Sequence, residues 1–202
     1  SRALRAVFDS VRPQWRYKPS LEMSEISVAV FAGGKSLRFG SPKINAKING
    51  REFGEIIFNT LKSSQFEKVF LVGGDRSDAL RWGVDYLNDE FPDSGPLGAL
   101  VTAMRITQSK NLLILPCDVP FIDVKTLETL KSVSANFDVR VADTDSPQWL
   151  CSTWRLELKD FLENEFAKGQ RAIHQICAML KTEFVKVSDS SLRNINSISD
   201  LD

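Results

Sequence analysis

Residues 26–43 read ISVAVFAGGKSLRFGSPK. The apolar run carried by Ile26, Val28, Ala29, Val30 and Phe31 has the length and composition of a strand buried on both faces. It runs into Gly33 and Gly34, and two cations, Arg38 and Lys43, follow five residues apart. Without a Cβ the chain here can take φ > 0 and approach a ligand closely. Such a turn aims consecutive N–H groups at one point, and concavities of that kind hold phosphate oxygens. The spacing is neither a Walker A loop nor a GxGxxG dinucleotide fingerprint. A Gly-Gly turn after a strand is most often a turn and nothing more. Arg38 and Lys43 shift the balance toward phosphate, because a solvated loop has no need of two cations beside a tight turn.

Beyond this stretch the chain alternates between two periods. Strands are expected over 68–72, 84–87, 111–116, 137–142 and 184–187, with weak alternation over 149–154. Helices are expected over 53–63, 78–82, 97–107, 124–133, 156–165 and 172–180. This order predicts an α/β fold with a mostly parallel central sheet and helices on both faces. Ligands in such sheets sit outside the carboxyl ends of the strands. Residues 26–202 read as one domain. Residues 1–25 read as an N-terminal extension: a tag, an alternative start or an appended helix.

Composition narrows the function. The chain has 202 residues, 26 acidic and 26 basic side chains and a formal net charge of zero. A neutral chain presents no broad field for nucleic acid or a membrane surface, so an anionic ligand must be held by a local site. Three cysteines, Cys117, Cys151 and Cys177, form no CxxC pair, which argues against a disulfide framework and a cysteine zinc site and suits a reducing cytoplasm. No apolar run approaches the length of a membrane span.

Asp118 closes the strand 111–116, where a carboxylate is well placed to hold a hard cation together with substrate phosphates. The competing reading is an N-cap, but Asp123 lies nearer to the next helix start. Asp89, Glu90 and Asp93 form either a solvated acidic loop or a wall that meets a base or ribose. Cys117 and Cys151 have no evident base beside them and read as small buried side chains. His174 is given no role. Trp149 either packs or lines a flat heterocycle. Asn194 and Asn196 either cap a final helix or reach back to a substrate.

Taken together, these residues resemble the molybdenum cofactor guanylyltransferases, within the Rossmann-like nucleotidyltransferases. The loop FAGGKSLRFGSPK is similar to that family's LAGGxSxRMGxDK; Asp89 with Ser94-Gly95-Pro96-Leu97-Gly98 is similar to its acidic residue and GPLAG turn. Cys117 to Phe121 (CDVPF) matches CDxPF, Gln148-Trp149-Leu150 matches Q-P-L, and the tail from Asn194 to Leu201 is similar to NVNTPEDL. The resemblance implies a three-layer fold that transfers GMP from GTP to molybdopterin and releases pyrophosphate. It implies Phe31, Ala32, Gly33, Gly34 and Lys43 against phosphates and ribose, Arg38 near the triphosphate, and Gly73 and Asp89 at the base. It implies Asp118 on Mg²⁺ (with Mn²⁺ as a substitute), and Gln148, Asn194 and Asn196 on the acceptor side. Arg38, Lys43 and Asp118 would carry the transfer. The expected partners are GTP and molybdopterin, for a monomer that meets cofactor-delivering proteins only transiently.

Three positions depart from the pattern. Pro42 stands where the family usually has Asp, Gly73-Gly74 replaces an Asn-containing segment, and Trp149 replaces the usual Pro. These leave open a molybdopterin cytidylyltransferase, a sugar-phosphate nucleotidyltransferase or a non-catalytic nucleotide-binding homologue.

Overall fold

The structure, a computed structural model, describes residues 25–33 and 42–195. Gly34, Arg38, Asn196 and all but the last residue of the expected N-terminal extension lie outside the described residues. The strands are β1 (Ile26–Phe31), β2 (Lys47–Ile48), β3 (Arg51–Glu52), β4 (Val69–Val72), β5 (Asp85–Leu87), β6 (Asn111–Pro116), β7 (Val139–Asp143), β8 (Pro147–Arg155) and β9 (Thr182–Lys186). The helices are α1 (Phe53–Lys62), α2 (Arg76–Trp82), α3 (Pro96–Ile106), α4 (Val124–Leu130), α5 (Lys159–Ala167) and α6 (Ile173–Cys177).

Seven strands form one sheet in the order β5-β4-β1-β6-β8-β7-β9. Neighbours from β5 through β6 run parallel, and β9 runs parallel to β7. Only β8 is reversed, pairing antiparallel with β6 and β7. The α/β expectation of a mostly parallel sheet between helices is therefore met.

Strand alternation divides the core. Val28, Val30, Leu113 and Leu115 pack with Ile57, Phe58, Leu61, Trp82 and Leu127, beneath α1, α2 and α4. Ala29, Phe31, Leu112 and Ile114 face the other way, onto Leu97, Leu100, Met104, Leu162 and Ile176 of α3, α5 and α6. Each fully buried Leu, Ile or Phe here contributes about 1.5–3 kcal/mol relative to exposure.

Local chemistry moves several boundaries away from the periodic expectation. The short antiparallel pair β2–β3 lies outside the expected elements, although Asn49 and Gly50 signal it: their φ values of 51° and 79° make the turn whose twist suits a two-residue hairpin. Helix α4 stops at Leu130 and not at 133. The carbonyls of Val133 and Ser134 turn instead to Arg155 Nη2, at 3.2 and 3.1 Å. Helix α6 ends at Cys177, where Thr182 Oγ1 donates to the Cys177 carbonyl at 2.9 Å and starts β9. Residues 156–158 form a 3₁₀ turn before α5. Asp123 caps α4 by accepting from the Thr126 amide at 2.7 Å, so Asp118 is not needed for that task. Among the described residues no helix is long and apolar enough to cross a membrane.

Candidate active site

Four strand ends open on one edge of the sheet. Phe31 ends β1 and Gly33 follows it, Gly73 and Gly74 follow β4, Asn88 and Asp89 follow β5, and Cys117 and Asp118 follow β6. All of them, with Lys43, line a cleft of about 750 Å³. The parallel ladder continues past the strands and holds these turns level. The Ala32 amide donates to the Val72 carbonyl at 2.9 Å, that of Cys117 to Phe31 at 3.2 Å, and that of Gly73 to Leu87 at 2.9 Å. The strand order reverses at β1, where this fold class places its ligand crevice.

The glycine geometry differs from the sequence expectation. Gly33 keeps an ordinary φ; the left-handed residues sit opposite, at Gly73 (71°) and Gly74 (70°). A Cβ on Gly73 would stand 3.2 Å from the Gly33 nitrogen, and one on Gly74 would stand 3.1 Å from the Ala32 Cβ. The close approach of the two turns therefore requires glycine at 73 and 74. A Cβ on Gly33 would face Asp89 Oδ2 at 3.7 Å, so the missing side chain leaves that carboxylate open to the cleft.

Lys43 begins a single 3₁₀ turn, Lys43–Asn45, with Pro42 at its entry and Ile44 buried beneath it. Its Nζ donates to Asp118 Oδ2 at 2.7 Å, and both side chains are mostly buried. The other carboxylate oxygen, Asp118 Oδ1, is buried and has no hydrogen-bond partner among the described residues. An orphaned carboxylate oxygen in a polar cleft is costly unless something cationic or donating meets it. Asp89 is held, not solvated: its Oδ1 accepts from the Phe91 amide at 2.9 Å and from Thr102 Oγ1 at 3.4 Å. Glu90 turns away from the cleft to pair with Arg105. Asp93 also lines the cleft, in a left-handed conformation with φ of 60°. Among the described lining residues three carboxylates, Asp89, Asp93 and Asp118, thus face one ammonium, Lys43. A triphosphate could enter such a wall only with added positive charge.

The thiols do not supply a nucleophile. Burial, helped by the Asp118 carboxylate, pushes Cys117 up to about 12, and burial alone accounts for Cys177 at about 12. Burial, then Asp118, raises Cys151 as well. All three cysteines are free and buried, as the reading of small packed side chains anticipates. A thiol reagent at pH 8 is accordingly expected to label none of them in the native protein, and all of them after denaturation in guanidinium. Rapid labelling of Cys117 in the native state would contradict its placement.

On the other side of Leu150 lies a second cleft, about 360 Å³, that shares Gly95, Pro96 and Leu150 with the first. Trp149, Arg171 and His174 complete it. The Trp149 ring lies 6.3 Å from the His174 ring and 5.9 Å, edge-on, from Phe184. The Arg171 carbonyl accepts from the Leu97 amide at 3.3 Å and so fixes this segment to the start of α3. Gln148 donates within its own hairpin, to Thr144 Oγ1 at 3.0 Å and to the Ser146 carbonyl at 3.2 Å. Asn194 is exposed, and the next amide, Ile195, donates to the Asp118 carbonyl at 3.1 Å, which brings the tail to the site's rim. Asp93, one of the acidic residues offered as a wall to base or ribose, lines the cleft, whereas Arg171 and Tyr86 have no place in the sequence reading. Tyr86 carries a signal, since it lies near the carboxyl end of the expected strand 84–87, and Arg171 carries none.

Glycine turns, a lysine and a carboxylate thus meet at the carboxyl edge of this sheet, where α/β folds place their ligands. Residues 28–183 match the family model of the MobA-like NTP transferase domain, and the chain belongs to that family, which makes it a nucleotidyltransferase. A molybdenum cofactor guanylyltransferase of Haemophilus influenzae is 28% identical over 183 residues, covering 87% of this chain and 95% of its own. A protein of Aquifex aeolicus named a probable molybdenum cofactor guanylyltransferase is 31% identical over 180 residues, covering 85% and 86%. The crystal structure of a molybdopterin-guanine dinucleotide biosynthesis protein A from Archaeoglobus fulgidus superposes with a TM-score of 0.72 at 23% identity, over 87% of this chain and 94% of that one.

Proposed function

We propose that the protein transfers GMP from GTP to the terminal phosphate of molybdopterin and releases pyrophosphate. The observation that carries this reading is the Asp118 carboxylate, with one oxygen on Lys43 at 2.7 Å and the other buried without a partner. The arrangement suits Mg²⁺, which takes one or two carboxylates and completes its shell with substrate phosphates and water. When bound, that ion would supply neutralisation of the α- and outer phosphate oxygens.

The remaining work falls to residues of the chain. The acceptor phosphate attacks the α-phosphorus in line, its new P–O bond forms as the bond to pyrophosphate breaks, and no protein nucleophile takes part. Backbone N–H groups of the turn at Gly33 hold phosphate oxygens, and Lys43, released toward them, offsets their charge. Arg38, five residues before Lys43, is assigned to the leaving pyrophosphate. Asp89, its Oδ1 held by Phe91 and Thr102, presents Oδ2 to the N–H donors of guanine. Gly73 and Gly74 offer the base only backbone.

The second cleft suits the acceptor: Trp149 presents a flat apolar face to a pterin, while the Arg171 guanidinium, stacked on Phe166 and bonded to the Phe166 and Gln170 carbonyls, braces the cleft wall. Gln148, Asn194 and Asn196 are assigned to the rim between the two substrates.

The test is pyrophosphate release with GTP, CTP, ATP or UTP, each with Mg²⁺ and with or without molybdopterin. The expected result is release with GTP and only when the pterin is present. Preference for CTP would transfer the reading to a cytidylyl enzyme. Nucleotide binding with no pyrophosphate from any pair would overturn transfer altogether.

A further inference from the structure

A buried carboxylate that the reaction does not use lies behind the Lys43 turn. Asp78, in the first turn of α2, is only 6% exposed. Its Oδ2 accepts from Asn45 Nδ2 at 2.9 Å, and its Oδ1 from Arg81 Nη2 at 2.7 Å. Arg81 also reaches Glu52 at 3.0 Å, so the brace ties α2 both to the 3₁₀ turn and to the residue that precedes α1. Asn45 is the last residue of the turn that Lys43 begins. Its Oδ1 is buried without a partner among the described residues, so the side-chain hydrogen bond described for Asn45 is the one to Asp78. That bond also settles the amide's orientation, because the opposite flip would set its oxygen against the carboxylate.

The turn is otherwise held at its two ends, by the Lys43 ion pair with Asp118 and by the Phe53 amide on the Ala46 carbonyl at 2.9 Å. It is one residue triplet, closed by the Asn45 amide on the Pro42 carbonyl at 2.9 Å and the Ala46 amide on the Lys43 carbonyl at 3.0 Å. Backbone bonds of this kind keep the turn's shape but not its position on the sheet. Ile44, fully buried, fixes depth. Asp78 supplies the sideways restraint, and an ion pair within the brace holds Asp78 itself. We infer that Asp78 is a positioning residue: through Asn45 it sets where the Lys43 ammonium stands relative to Asp118.

This inference rests on the role proposed for Lys43, and the experiment separates the two. Turnover with GTP and molybdopterin, nucleotide Kd and Tm are measured for Asp78→Ala, Asn45→Ala and Asp78→Asn, each alone and combined with Lys43→Ala. Misplacing a reacting group by about 1 Å costs up to about 100-fold in rate, so a loss of roughly tenfold in kcat is expected for Asp78→Ala and Asn45→Ala. In the Lys43→Ala background neither should lower kcat further, since coupled positions are non-additive. Asp78→Asn, which keeps an oxygen for Asn45, should lose less than Asp78→Ala. Asn45→Ala leaves the Asp78–Arg81 pair intact and reads out positioning even if Asp78→Ala fails to fold. Equal losses in both backgrounds, or a lower Tm with kcat unchanged, would overturn the inference. If Lys43→Ala itself leaves kcat and nucleotide Kd unchanged, the role of Lys43 fails first and the positioning role falls with it.

Discussion

Asp118→Ala is expected to lower single-turnover pyrophosphate release by more than about 100-fold, the scale of removing one preorganised electrostatic stabiliser. In free energy this is at least about 2.7 kcal/mol of transition-state stabilisation. Two physical losses combine. The phosphates lose the carboxylate that would hold a divalent cation among them, and Lys43 loses the acceptor that holds its Nζ at 2.7 Å. The substitution relieves a buried oxygen that has no described partner but strands the mostly buried Lys43 ammonium, so Tm is expected to fall, though less than in Lys43→Ala, while turnover collapses. Stopped-flow detection of pyrophosphate with saturating GTP and pterin reads the first quantity, and a thermal melt the second. Turnover within a few-fold of wild type would end the metal assignment.

Lys43→Ala should show a different pattern. A hydrogen bond to a charged group is worth about 1.5–3 kcal/mol, so nucleotide Kd is expected to rise by about 10–100-fold, with slower transfer besides. Here stability should fall further, because Asp118 is left with a mostly buried charge whose ammonium has gone. For a chain of this size each kcal/mol lost lowers Tm by about 2–4 °C. Lys43→Arg keeps the charge but replaces a compact ammonium with a planar fork, and should recover stability more fully than transfer. Isothermal titration with GTP and Mg²⁺, alongside melts of the three proteins, checks both halves. An unaltered Kd in Lys43→Ala would remove that residue from the site.

The two halves of this fold differ in how much of them can be read from residue order. The strands at 26–31 and 111–116 are legible because both of their faces are buried, and a continuous apolar run has few other fates. The turn residues after them are legible for the same reason: in a parallel sheet the carboxyl ends collect on one edge. Lys43 and Asp118, 75 residues apart, are brought together by that rule and by nothing local. Helix ends are less legible. Val133 falls within the expected helix 124–133, yet its carbonyl and that of Ser134 serve Arg155, an acceptor–donor match set only by the tertiary fold. The Asn49-Gly50 hairpin is signalled by its dipeptide alone, because its two-residue strands are too short to show a period. The Asp78–Asn45 brace, between residues 33 positions apart, has no sequence pattern to announce it. The same holds for the cleft of Trp149, Arg171 and His174, whose walls come from β8, a distant loop and helix α6.

The most direct measurement is a crystal structure with a non-hydrolysable GTP analogue and Mn²⁺, with the ion located by its anomalous signal. The account predicts the ion beside Asp118 Oδ1, bridging to phosphate oxygens that lie against Gly33 and Lys43. A nucleotide bound elsewhere on the molecule, or a metal peak remote from Asp118, would contradict it.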